Sequence, residues 1–286
     1  MTAAALPILL SVFSAVTVAV ANFTVKRGGD VLTARMVLSI TMALTVLPFT
    51  PFVPLPSADL WPQLLGAVAA HWIYQFTMIR SLHRGDLSLV FPVMRGLAPL
   101  MTAILATVFL DESLSPIGIF GLILASSALM IFALPTDRPA DQLRTDRIAL
   151  GWAVATSFGI GLYSVVDAHV ARQMPNPFTF IVWLFLLDWI GIAVVTLYTR
   201  RGEVISRVRP QMKAALFGGV AGTLSYGAAI IAFTLTDAVL VTALRETSVI
   251  FAALLAWWFL KEGFGLRRTI AAAILALGLV LLQLSP

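Results

Sequence analysis

The sequence predicts an all-α integral membrane protein with ten transmembrane helices arranged as a 5+5 inverted repeat. Three observations carry this. Apolar runs recur from end to end, with 59% hydrophobic and only 12% charged residues, where a soluble domain carries about 25% charged. Basic residues fall almost wholly in alternate loops. The two halves also share landmark residues at matched positions.

A stretch of about eighteen apolar residues is long enough to cross a bilayer core. Inside that core the backbone must satisfy its own polar groups, so only helices and closed barrels can span it. Barrel strands alternate apolar and polar residues. The runs here are uniformly apolar, as in LPILLSVFSAVTVAV, and therefore read as helices. Taken in order, the expected spans are 4–25, 31–50, 60–82, 87–110, 115–134, 148–171, 177–199, 212–235, 238–260 and 267–284. Ala19-Val20-Ala21 resembles a signal-peptide cleavage site, but no Lys or Arg precedes the first run. It is read as a retained first span. Residues 1–135 form a first five-helix repeat and 148–286 a second. The linker 136–147 between them holds three acids and three arginines.

The net charge of +5 does not mark a nucleic-acid face. Loops after odd-numbered spans hold Lys26, Arg27, Arg80, Arg84, Arg138, Arg144, Arg147, Arg200, Arg201, Arg207, Arg209, Lys213, Lys261, Arg267 and Arg268, with Arg35 flanking. The other side holds Arg172 alone. Such a bias places the basic loops in the cytoplasm and both termini on the outer, periplasmic side. Cysteine is absent, so no thiolate metal site or disulfide is expected.

Between the halves, Leu64-Leu65-Gly66 aligns with Leu216-Phe217-Gly218 and Tyr74 with Tyr226. After a two-residue gap, Arg95 aligns with Arg245 and Glu112 with Glu262. An odd number of spans per half requires the halves to be inserted upside-down relative to one another. Inverted repeats mark transporters with a midplane substrate site.

The segments RSLHRGDLSLVFPVMRGLAPL and VFLDESLSPIGIFGLIL resemble the first half of bacterial EamA-type carriers of the drug/metabolite transporter superfamily. GLYSVVDAHVAR and ALRETSVIFAALLAWWFLKE are similar to the matching second-half segments. The resemblance implies a 5+5 bundle in an inner membrane that carries small metabolites, often outward, with no fixed substrate. Many members place their termini inside. The loop charges of this chain put them outside.

Ionisable groups within lipid are costly and usually face a partner or a water-filled cavity. Arg95, Asp167, Asp188, Arg245 and Glu246 lie inside expected spans. Arg245 lies roughly 10 Å below the outer start of its span, and Asp167 roughly 6–10 Å from the outer end of its own. The expected contacts are Asp167–Arg245 near the outer mouth and Asn22–Arg95 near the inner one. Glu246 cannot share a helix face with Arg245 and must snorkel or pair elsewhere. Asp188, mid-span, is a candidate for proton coupling, as is Asp167. The plain alternative is that these groups only hold helices together.

His71, Tyr74, Gln75 and Met78 share one face of span three. Tyr226 lies on the matching face of span eight, and Tyr163 one turn before Asp167. His71, Tyr74, Gln75, Tyr163 and Tyr226 are thus expected to line a cavity for an amphipathic solute, with ordinary helix packing as the alternative. Glu112 and Glu262 read as loop-anchoring groups. No HExxH, GxSxG or P-loop occurs. Asp188 lies deeper than Asp167, at roughly 16 Å, which argues against an aspartyl protease dyad. The expected partners are a small-molecule substrate and the bilayer, with no cofactor, in a monomer or dimer. A lipid-linked flippase and a membrane sensor are the alternative functions.

Overall fold

The computed structural model describes residues 5–25, 30–85, 87–133, 147–251, 254 and 265–284. Among these residues every regular element is helical. The order is α1 (Ala5–Val25), α2 (Val31–Val46), α3 (Trp61–Arg84), α4 (Leu87–Phe109), α5 (Pro116–Ala133), α6 (Arg147–Gln173), α7 (Pro177–Arg200), α8 (Val204–Val208), α9 (Met212–Phe233), α10 (Ala238–Arg245) and α11 (Gly265–Gln283). The helices fall where the apolar runs do. Among the described residues, Val31–Phe52, Arg147–Gln173 and Pro177–Phe233 are helical runs long and apolar enough to cross a membrane, the last containing α7 and α9. The chain is an all-α membrane protein.

Two boundaries differ from the sequence reading. Span two was expected to run to Thr50, yet α2 stops at Val46 and passes into a 3₁₀ turn, Leu47–Phe52. Pro48 and Pro51 lie in that turn, and proline has no N–H to continue an α ladder. Span nine was expected as one helix, 238–260, but α10 ends at Arg245. The chain turns at Glu246 and Thr247, and helix resumes at residues 248–251. Here the amide bonds shorten to i−3 partners: Thr247 donates to Leu244, Val249 to Glu246 and Ile250 to Thr247. The Thr247 hydroxyl also bonds the Leu244 carbonyl at 2.6 Å. That competition tightens the helix into a 3₁₀ turn. The expected linker lies outside the described residues apart from Arg147, which begins α6.

The chain divides into two compact units that cut across the sequence halves. One contains Met1–Trp72 and Val166–Leu235, the other Ile73–Val165 and Thr236–Pro286. Of the three divisions, one falls within α3, one within α6 and one between α9 and α10.

In the first unit α1 packs on α9, and α2 packs on α7 and α9. Lipid removes most of the hydrophobic drive between helices, so close approach through small residues and internal hydrogen bonds takes its place. Ser14, Ala15 and Ala19 of α1 are buried, as are Ser225, Ala229 and Ala232 of α9. The Ser225 hydroxyl donates to the Ser14 carbonyl at 2.7 Å. Large side chains such as Leu9, Phe13, Phe217 and Leu224 point outward. Small and polar residues inside with bulky apolar ones outside is the arrangement that a lipid solvent favours.

In the second unit α5 packs on α4 and α11, and α10 packs on α4. The α5–α11 crossing depends on two glycines. A Cβ on Gly121 would lie 2.6 Å from the Gly278 carbonyl oxygen, and one on Gly278 would lie 2.6 Å from that of Gly121. On α6, the Ser157 hydroxyl donates to the Val93 and Met94 carbonyls of α4 at 3.1 Å. Ser81 of α3 donates to Ala149 of α6 at 3.2 Å.

Within each unit loops are tied by charge. In the first unit Asp30 caps α2 by accepting from the Leu32 N–H, and it accepts from Arg200 Nε at 2.9 Å and Nη2 at 3.0 Å. Arg207 lies 3.5 Å away. This joins the basic loop before α2 to the one after α7. Burial pushes the Asp30 carboxyl pKa up, but the Arg200 hydrogen bonds and the Arg200 and Arg207 charges outweigh it and hold it below the ordinary value. In the second unit Asp111 takes φ 55° after α4. Glu112 then accepts from the Ala238 N–H at 2.9 and 3.0 Å, supplying negative charge to the N-terminus of α10. Its expected counterpart, Glu262, lies outside the described residues.

Two outcomes follow for stability, both measured by thermal unfolding in detergent. Gly278→Leu forces α5 and α11 apart and costs about 1–3 kcal/mol; unchanged stability would mean that the two backbones do not touch. A carboxyl whose folded pKa is depressed stabilises above its unfolded value and loses that contribution as pH falls through the folded one. Asp30→Asn therefore costs about 1–2 kcal/mol at pH 7, and the difference from the parent protein closes below about pH 4.

Candidate functional site

Among the described residues each compact unit holds a buried acid next to a basic partner. In the first unit the acid is Asp167 on α6, fully buried. Its Oδ2 accepts from the Tyr226 hydroxyl of α9 at 2.5 Å and lies 2.8 Å from His71 Nε2 of α3. The ionised carboxylate can only accept, so His71 Nε2 then carries the proton. The Tyr226 and His71 rings meet edge to face with centroids 5.4 Å apart, and Phe185 of α7 covers Tyr226 from 6.2 Å. Among the described residues the other carboxylate oxygen, Asp167 Oδ1, is buried and has no hydrogen-bond partner.

In the second unit the acid is Glu246, in the turn that ends α10. Its Oε1 accepts from Arg95 Nη1 of α4 at 2.9 Å, with the two side chains 16% and 2% exposed. The Arg95 guanidinium also sits 5.6 Å from the centre of the Phe91 ring, close enough for a cation–π attraction. Glu246 Oε2 is buried without a hydrogen-bond partner among the described residues. The Tyr74 and Tyr163 rings meet edge to face at 5.1 Å. Gly159, one turn before Tyr163, makes that meeting possible, since a Cβ there would come 3.0 Å from the Tyr74 Cα.

The partners differ from those that depth along the helices predicted. Asp167 was expected to meet Arg245, and the structure instead brings it together with His71 and Tyr226. Arg95 was expected to meet Asn22, and it pairs with Glu246. The depth comparison matched groups near the same membrane face. Arg95 lies eight residues into α4 and Glu246 eight beyond the start of α10, each about 12 Å from an end of its helix. In a core of about 30 Å two such groups meet near the middle even when they enter from opposite sides.

The remaining expected residues are placed as follows. Gln75 is buried on α3 and Arg245 is half-buried at the end of α10. Asp188 is buried on α7, where the Trp72 indole donates to its backbone carbonyl at 2.9 Å. Asn22 belongs to α1, and its side chain lies outside the described set. Sequence reasoning missed the pairing of His71 with Asp167, because an arginine appeared the stronger partner for a buried acid.

Residues 147–284 match the model of the EamA-like transporter family. These residues contain both second-half segments on which the resemblance rested. No curated protein sequence matches the chain. A solved crystal structure of a protein, 15% identical, superimposes with a TM-score of 0.74 over 98% of this chain and 96% of its own. That likeness shows the fold alone.

Removing one partner of a buried ion pair costs about 3–5 kcal/mol, because it strands the other charge. Arg95→Gln should lower stability by about that amount, while Arg95→Gln combined with Glu246→Gln should recover most of it. Thermal unfolding of the two variants decides this. Equal destabilisation would show that the pair is not coupled.

Proposed function

Because residues 147–284 of this chain belong to the EamA-like transporter family, we propose that the protein is a secondary transporter that carries a small amphipathic metabolite outward across a bacterial inner membrane. Ten spans form two inverted five-helix repeats, with both termini on the outer side. The solute site opens alternately to each face. The sixteen-to-one distribution of loop cations supports that orientation.

The observation that carries the reading is the His71–Asp167–Tyr226 cluster. A buried carboxylate with one unpartnered oxygen is costly in a protein whose surroundings are lipid. Its retention makes sense where the group binds and releases a proton. When Asp167 is protonated its hydroxyl donates to neutral His71 Nε2. When the proton moves to His71, the imidazolium donates back to the carboxylate, and the Tyr226 hydroxyl stabilises that charge. The proton thus passes between two atoms 2.8 Å apart without a large change in shape. Entry of a proton from outside and its release inside drives the solute the other way. This step uses His71, Asp167 and Tyr226, and Asp188, also buried, takes no part in it.

The test is flux of a labelled metabolite panel from proteoliposomes under an imposed pH gradient. The parent protein should move at least one solute faster with the gradient than without it. Asp167→Asn should abolish that acceleration, and Asp188→Asn should keep it. An undiminished response in Asp167→Asn would remove Asp167 from coupling, and no movement of any solute would remove the transporter reading itself.

A further inference from the structure

In the first unit, Arg200 to Lys213 join α7 to α9 and hold five basic side chains against one acid, Glu203. Two of the five charges are used inside the protein. Arg200 donates to both oxygens of Asp30, and Arg207 bonds Glu203 at 2.6 Å and reaches Asp30 at 3.5 Å. Gln211, 2% exposed, adds a further tie by donating to the Thr33 hydroxyl at 2.6 Å and to the Arg207 carbonyl at 2.9 Å. The connection is thereby clamped to the start of α2. The other three basic residues, Arg201, Arg209 and Lys213, are exposed, and among the described residues no acid pairs with them. Both acids within the clamp are already engaged, so these three cations stand uncompensated.

Arg201 holds its place against the backbone. Its φ of 43° lies in a region that suits glycine and strains any other residue. Glycine follows immediately, as Gly202, yet the strained position carries arginine. That turn ends α7 and sets the Arg201 guanidinium 5.7 Å from the centre of the Tyr198 ring. Exposed apolar surface runs up to the same helix ends. Val194, Leu197 and Tyr198 of α7 and Phe217 of α9 are exposed, and Ile205 of α8 is 81% exposed. A tyrosine and bulky apolar side chains beside uncompensated cations match the two layers of a lipid surface, hydrocarbon and phosphate.

We propose that the connection between α7 and α9 is a binding site for an anionic phospholipid, with Arg201, Arg209 and Lys213 holding the phosphate-bearing headgroup and Tyr198 and Ile205 covering the glycerol and upper acyl chain. The Asp30 clamp fixes the backbone with two arginines and leaves the remaining cations to the ligand. The strain at Arg201 is retained because it directs that charge outward. In the orientation proposed above, the connection faces the cytoplasm, where basic segments beside a membrane attract anionic lipid.

The test titrates the full-length protein, purified in lipid-free detergent, with phosphatidylglycerol or with phosphatidylcholine of the same acyl chains. Native mass spectrometry counts the bound lipid. Phosphatidylglycerol should bind at least about fivefold more tightly, the order expected of one surface cation. The triple variant Arg201→Gln, Arg209→Gln and Lys213→Gln should lose that preference. Arg80→Gln with Arg84→Gln removes two exposed cations from the end of α3 and should keep it. Arg201→Gly separates binding from structure. Glycine relieves the strained turn, so the thermal midpoint in lipid-free detergent should hold or rise while phosphatidylglycerol binds about fivefold more weakly. Equal binding of the two lipids by the parent protein would overturn the proposal. So would an equal loss of preference in the Arg80 and Arg84 variant, which would mean diffuse charge, or unchanged lipid binding by Arg201→Gly. Displacement of phosphatidylglycerol by inorganic phosphate would assign the cations to a free anion and remove the lipid as occupant.

Discussion

A bilayer core offers a charged side chain neither water nor a polar neighbour, so each charge placed there must find its partner within the protein. Here Glu246 is held by Arg95 at 2.9 Å and Asp167 by His71 and Tyr226. Each pair also governs local shape. Arg95 meets Glu246 at the point where α10 gives way to a 3₁₀ turn, and Asp167 draws α3, α6 and α9 to one locus. In both units one carboxylate oxygen is left over. Water would satisfy such an oxygen at little cost. In lipid no such solvent is at hand.

The same constraint explains the packing. Since apolar surface gains little by leaving lipid for protein, helix contacts form where backbones can approach and polar groups can meet. Gly121 and Gly278 let α5 and α11 touch, and Ser14 and Ser225 bond α1 to α9. Bulky residues such as Phe13, Phe120 and Leu277 then face outward. At the helix ends, where water is available again, ordinary rules return. Asp30 with Arg200 and Glu112 with the Ala238 N–H fasten loops by charge and by capping.

Much of the fold was legible from the chain. Apolar run length located the helices, because crossing lipid imposes a fixed minimum on it. The exceptions were local. Pro48 and Pro51 end α2 early, and the Thr247 hydroxyl competes for the Leu244 carbonyl and helps break α10. Hydropathy sees neither event, since it averages over a span while both turn on single hydrogen bonds. The acids and bases of the candidate site were visible as charges within apolar runs. Their partners were not, because His71 looks unremarkable on α3 until α6 and α9 bring Asp167 and Tyr226 to it.

The sequence by itself determined that this is an all-α membrane protein, and which titratable groups lie within its helices. Those properties follow from composition and from the cost of exposing backbone and charge to lipid, which are local and additive along the chain. Only the tertiary structure decided which charge meets which. Pairing depends on helix rotation and on where backbones approach, and small residues far apart in sequence set both. Depth alone left several partners equally near, and packing chose His71 and Tyr226 for Asp167, and Arg95 for Glu246.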